Sequence, residues 1–146
     1  MYGASKRSNE LIAHAYSNLY NLNTSGLRYF TVYGPYYRPD MAIFMFTQKI
    51  ISGKPIDVFN KGKMKRDFTY IDDIIDGTRS AIDKNYEYEI FNLGNNKSEK
   101  LMDMINFIEN ELGRKAIIRY KSLQPGDVVD TFANIDYSKQ KLGYNP

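Results

Sequence analysis

Two hydrophobic periods alternate along this chain, and that alternation most restricts what it can fold into. Residues 3–21 carry Leu11, Ile12, Ala15, Tyr16, Leu19 and Tyr20 at helical spacing on one face. Residues 21–26 form a polar break, and 27–32 (LRYFTV) then read as a strand of aromatic and β-branched residues. Gly34-Pro35 ends it. Asp40 is placed to cap a helix through residue 52, with Gly53 where a terminating glycine belongs. Short strands are expected at 56–59 and 67–71 (DFTYI), separated by a polar, basic turn. Asp72 is placed to cap a helix to about residue 84, with Ile74, Ile75, Thr78, Ala81 and Ile82 inward. A strand at 89–93 precedes a helix expected to be capped by Ser98, striped by Leu101, Met104, Ile105, Ile108 and Leu112, and ended by Gly113. A strand at 116–120, a Pro-Gly turn at 124–127 and a short helix at 136–142 complete the chain. Strands separated by helices predict an α/β fold. No segment repeats another.

Composition removes whole classes of chemistry. There is no cysteine, so disulfides, thiolate metal sites and a cysteine nucleophile are excluded. His14 is the single histidine, which excludes multi-histidine metal sites; beside Ile12, Ala13 and Ala15 it reads as a packed or interface residue. The longest apolar run, residues 41–46, is far too short to span a bilayer, and no apolar signal core opens the chain. A cytoplasmic protein is expected, with no membrane partner. Twenty Lys and Arg against 17 Asp and Glu is too even a balance to require nucleic acid. The 146 residues suffice to bury a core without a metal or disulfide staple.

Tyr2 and Lys6 stand four apart on the first predicted helix and so share a face. An ammonium beside a phenol lowers its pKa from about 10, making it a usable general base toward an alcohol. The spacing alone is weak, since Tyr137 and Lys141 repeat it on the last helix. Context separates the two. Gly3, Ala4 and Ser5 leave room for a bulky group beside Tyr2, and a long helix, a strand and Gly34-Pro35 follow.

That order resembles the catalytic helix and following strand of the extended short-chain dehydrogenase/reductases, the nucleotide-sugar epimerase/dehydratase family. GLRYFTVYGP, GKMKRDFTYIDDI, IFNLG, LMDMINFIENELG and QPGDVVDTFANI continue the resemblance along the whole chain. TVYGPYYRPDMAIF is most similar to the UDP-glucuronate 4-epimerases. The resemblance implies the carboxyl-terminal part of a Rossmann-type fold with its small nucleotide-sugar domain. Residues 1–39 and 67–95 resemble the end of the cofactor-domain sheet, and 40–66 and 96–146 the substrate domain.

The resemblance also implies roles. Tyr2 would take the proton of the sugar 4-hydroxyl while hydride passes to NAD, and a transient 4-keto sugar would rotate before hydride returns. Lys6 would tune Tyr2 and hold the nicotinamide ribose. Thr31 and Arg38 would meet the sugar, Thr31 replacing an Asn common in relatives. Arg66 would grip the UDP diphosphate, where a planar fork suits phosphate oxygens. Asp127 would hold the ribose; Gln124 stands near where relatives often carry Arg. A β-branched strand residue, a solvated loop charge and an ordinary turn aspartate are the plain alternatives for Thr31, Arg38 and Asp127. For Lys61, Lys63 and Lys65 a solvated turn is the favoured reading.

One part of the pattern is missing. No glycine-rich turn for a dinucleotide pyrophosphate occurs among the 10 glycines, and the family's upstream catalytic Ser/Thr has no counterpart. The chain is therefore expected to be the carboxyl-terminal half of an NAD-dependent UDP-sugar 4-epimerase acting on UDP-glucuronate, and not to bind NAD tightly alone. The alternatives are an inactive UDP-sugar-binding or dimerisation fragment, or half of a dehydratase or decarboxylase. A homo-oligomer through the first helix is expected.

Overall fold

The computed structural model describes residues 1–146. Helix α1 (Tyr2–Tyr20) falls within one residue of its expected bounds. The single strand expected at 27–32 is two strands, β1 (Thr24–Tyr29) and β2 (Thr31–Tyr33). The cause is a change of partner at Phe30. β1 runs parallel to β6 (Tyr88–Leu93), whereas β2 runs parallel to β5 (Phe68–Tyr70). The Phe30 N–H still reaches the Leu93 carbonyl at 3.3 Å, while the Thr31 N–H already reaches the Asp67 carbonyl at 3.0 Å. A third parallel pair joins β3 (Ile56–Phe59) to β8 (Ile118–Lys121). β4 (Lys65–Arg66) and β7 (Glu99–Lys100) form a short antiparallel pair, with Arg66 opposite Glu99. Mixed helices and parallel strands make this an α/β fold, as expected, since parallel neighbours require crossovers.

The helices lie where the periodicity puts them, but the expected caps do not act. α2 (Ala42–Ile51), α3 (Ile71–Lys84) and α4 (Leu101–Leu112) begin after Met41, Tyr70 and Lys100, without a side-chain cap hydrogen bond. Competing partners explain two of these. Asp40 is held by Arg38, and the Ser98 hydroxyl donates to Asp130. Asp72 and Asp73 fall in the first turn of α3, where the helix dipole favours negative charge. α5 (Asp136–Leu142) matches its expected bounds.

Two apolar clusters form. Ile74, Ala81, Phe91, Leu93, Ala133, Ile135, Leu142 and Tyr144 pack α3, β6 and α5 together. Phe46, Ile50, Ile56, Val58 and Ile105 pack α2, β3 and α4. The stretch 96–146, grouped with 40–66 in the sequence, divides between them. α4 joins the second cluster, whereas 133–144 return to the first.

α1 rests on the β1–β6 pair through polar residues. The Ser17 hydroxyl donates to the Glu87 carbonyl at 2.8 Å, and the Tyr88 hydroxyl to the Glu10 carbonyl at 2.9 Å. Arg28 grips both Glu10 carboxylate oxygens, at 2.6 and 2.9 Å, and Arg7 adds another contact. The apolar stripe of Leu11, Ile12, Tyr16, Leu19 and Tyr20 is left exposed. Those hydrogen bonds, Arg28 first, lower Glu10 from its ordinary 4.5 to about 2. A carboxylate depressed in the folded state contributes stability above its ordinary value and loses it as pH falls toward the folded one. Stability is therefore expected to fall between pH 4.5 and about 2, and Glu10→Gln to flatten that limb in thermal melts taken against pH. Arg28 is 47% exposed, so solvent screening keeps the effect well below the full shift. An unchanged acid limb in Glu10→Gln would show that the contact contributes nothing.

Candidate functional site

Helix geometry brings Tyr2 and Lys6 together on α1, with the Lys6 ammonium 5.4 Å from the centre of the Tyr2 ring. The phenol is largely exposed, at 78%. Space beside the pair is open, because a Cβ added at Gly3 would meet nothing within 4 Å. The spacing twin on α5 looks similar but is wired differently. Lys141 lies 5.7 Å from the Tyr137 ring, yet the Tyr137 hydroxyl donates to Glu89 at 2.7 Å. That hydrogen bond raises Tyr137 above the usual phenol range, opposite to what a general base needs.

Arg38 follows β2 in the loop before α2. Its guanidinium meets both Asp40 oxygens, at 3.1 and 2.5 Å. Asp40 chiefly, with small contributions from the Tyr2 and Tyr37 phenols, makes it hold its proton more firmly than usual. Next to Arg38, the Tyr37 hydroxyl is buried without a hydrogen-bond partner, and burial raises its pKa.

Arg66 lies in β4. One of its terminal nitrogens donates to the Lys65 carbonyl at 2.7 Å and the Val129 carbonyl at 3.3 Å. The Lys65 N–H also reaches the Val129 carbonyl, at 2.9 Å. These bonds bring the turn carrying Asp127 alongside Arg66. The turn is closed by the Asp127 N–H on the Gln124 carbonyl at 3.1 Å, and the Asp127 side chain faces solvent. Thr31 is half-buried at the start of β2, opposite Phe68.

A cleft of about 770 Å³ is bordered by Tyr33, Ile43, Phe68, Asn95, Lys97 and Phe107 among others. None of Tyr2, Lys6, Thr31, Arg38, Arg66 or Asp127 borders it, although Thr31 and Arg66 lie two residues from Tyr33 and Phe68. The sequence reading missed Asp67, which is fully buried between Arg66 and the cleft-lining Phe68. The available signal was an acidic residue directly abutting the apolar strand FTYI.

Comparison with known proteins identifies the family. Residues 1–94 match the model of the NAD dependent epimerase/dehydratase family. The chain is 53% identical over 146 residues to an uncharacterized protein of Methanocaldococcus jannaschii, covering all of this chain and 45% of that one. It is 42% identical over 163 aligned residues to UDP-glucuronate 4-epimerase 4 of Arabidopsis thaliana, covering 37% of that protein. The chain thus spans about half or less of the curated relatives it matches. A crystal structure of UDP-glucuronic acid 4-epimerase from Bacillus cereus, in complex with UDP-glucuronic acid and NAD, superposes with a TM-score of 0.94 at 37% identity. The match covers 99% of this chain and 47% of that one. With its α/β architecture, its Tyr-Lys helix and its matched segments, the chain belongs to the NAD dependent epimerase/dehydratase family.

Proposed function

We propose that this chain supplies the carboxyl-terminal half of an NAD-dependent UDP-sugar 4-epimerase whose substrate is UDP-glucuronate. The observation that carries the reading is the Tyr2–Lys6 pair on α1, in a chain that superposes along nearly its whole length on a UDP-glucuronic acid 4-epimerase.

In this reading Tyr2 accepts the proton of the sugar 4-hydroxyl and returns it at the end of the cycle. Lys6 keeps its ammonium beside the Tyr2 ring. Thr31 offers a neutral hydroxyl to the sugar carboxylate. It forms no strong ion pair that would stop the sugar turning over. Arg38, already neutralised by Asp40, meets the sugar through whatever N–H groups Asp40 leaves free. Arg66 takes the diphosphate and Asp127 the ribose. The residues present fit one end of a dinucleotide: Tyr2 and Lys6 beside Gly3 would hold the nicotinamide ribose, and no segment of this sequence offers a glycine-rich turn to the pyrophosphate. Bound NAD supplies the hydride acceptor and donor. The exposed apolar stripe of α1 supports self-association through that helix. A cytoplasmic location remains part of this proposal.

Calorimetric titration of UDP and UDP-glucuronate into the chain tests the reading. Arg66→Ala is expected to weaken either ligand by about 1.5–3 kcal/mol, the scale of a lost hydrogen bond to a charged group. Lys61→Ala and Lys63→Ala should leave affinity nearly unchanged. Similar losses at all three positions would point instead to a diffuse polyanion surface, and no heat with either nucleotide would remove the reading.

A further inference from the structure

We propose that Asp67 is the positioning residue of this site, the group that holds Thr31, Arg66 and the two turns around them in one arrangement. The proposal deepens the nucleotide reading of Arg66 and Thr31 and rests on it. Asp67 is fully buried and makes no ion pair, an expensive placement for a carboxylate unless neighbouring dipoles satisfy it. They do. One carboxylate oxygen accepts the Asn95 N–H at 2.6 Å and the Thr69 hydroxyl at 3.2 Å. The other accepts the N–H groups of Ala133 at 3.1 Å and Lys97 at 3.3 Å. The residue's own N–H donates to the Thr131 hydroxyl at 3.2 Å, and its carbonyl accepts the Thr31 N–H at 3.0 Å.

These bonds converge from three separate stretches of chain. The Asn95–Lys97 turn forms part of the cleft wall. Thr131 and Ala133 anchor the strand of chain that returns from the Asp127 turn, whose other anchor is Val129 against Lys65 and Arg66. Thr31 hangs from the Asp67 backbone, and Arg66 precedes it in sequence. One residue, through its carboxylate and its backbone, therefore ties together the segments that carry the diphosphate, ribose and sugar candidates. Gly94 shows how tight the junction is. A Cβ there would lie 2.3 Å from the Ala133 Cβ and 3.2 Å from the Asp67 carboxylate, so only glycine lets the next amide reach Asp67. A carboxylate suits the junction because both oxygens accept. An asparagine would turn an N–H₂ group toward N–H donors.

The test is residue-resolved amide exchange by NMR on the full chain, alongside UDP titration. In Asp67→Asn the amides of Asn95, Lys97 and Ala133 are expected to exchange about tenfold faster or more, with UDP weakened at least tenfold, the equivalent of one lost charged hydrogen bond. Amides in the β3–β8 pair should keep their rates. Arg66→Ala should weaken UDP while leaving those three amides protected, which separates holding the ligand from positioning the holder. Unchanged exchange at the three amides in Asp67→Asn would overturn the proposal. So would a uniform loss of protection across both clusters, the mark of a merely structural role. Should Asp67→Asn fail to fold, Thr131→Val removes only the acceptor of the Asp67 N–H. It is expected to speed exchange at the Asp67 amide and weaken UDP severalfold with little change in melting temperature; wild-type UDP affinity there would overturn the proposal. Absence of UDP binding by the unsubstituted chain would overturn the nucleotide reading, while the exchange rates would still decide whether Asp67 holds the two turns.

Discussion

Tyr2→Phe, made in the intact enzyme to which this half is proposed to belong, is expected to lower turnover by about a hundredfold or more, the usual cost of losing a positioned general base. Phenylalanine keeps the ring and the Lys6 ammonium above it, so packing and charge at the helix start are retained. Only the proton acceptor is removed. UDP-sugar affinity should stay nearly constant, because the nucleotide contacts are assigned to Arg66 and Asp127 on other elements. Tyr137→Phe is the control. It carries the same Tyr-Lys spacing, but its hydroxyl is committed to Glu89 at 2.7 Å, and its loss should leave turnover essentially intact. Steady-state rates for both variants decide the matter. Near-normal turnover in Tyr2→Phe would remove Tyr2 from the chemistry, and equal losses in the two variants would point to a general effect on folding.

Phe91→Ala is expected to destabilise the chain by about 3–5 kcal/mol, the range for truncating a fully buried aromatic residue. Phe91 is completely enclosed at the centre of the first cluster. Its ring lies 5.7 Å from that of Tyr137 on α5 and 5.8 Å from that of Tyr86, which leads into β6. The cavity would open where α3, β6 and α5 meet. Against a typical total of about 5–15 kcal/mol, that is a large fraction of the stability of the fold. Denaturant unfolding of the wild type and variant measures it. A loss below about 1 kcal/mol would show that the cluster collapses around the missing ring.

Local periodicity was enough to place α1, α5, β3 and the stripe of α4, because apolar spacing and left-handed terminators act within a few residues. Gly53 and Gly113 end helices with φ of 64° and 60°, as their sequence positions require. The Tyr2–Lys6 pair was equally legible, since helical spacing alone makes the two side chains neighbours. Capping was not. Asp40 and Ser98 have the chemistry of caps, but Arg38 and Asp130 claim them, and such competition depends on which groups the fold brings near. Nor could the sequence divide LRYFTV at Phe30, because the break reflects a change of partner from β6 to β5 and not any residue preference. The apolar stripe of α1 announced a helix correctly while its burial remained undecided, and within this chain it is exposed. Asp67 is the sharpest case. Its neighbours Arg66 and Phe68 identify a matched segment, but its role comes from donors at Asn95, Lys97 and Ala133, far along the chain. By itself the sequence determined where the helices and most of the strands lie and which family's segments they match, because both are written in short-range pattern. Tertiary structure alone decided which polar groups are consumed by one another and which stay free for a ligand, because hydrogen bonds between distant residues exist only once the chain has closed on itself.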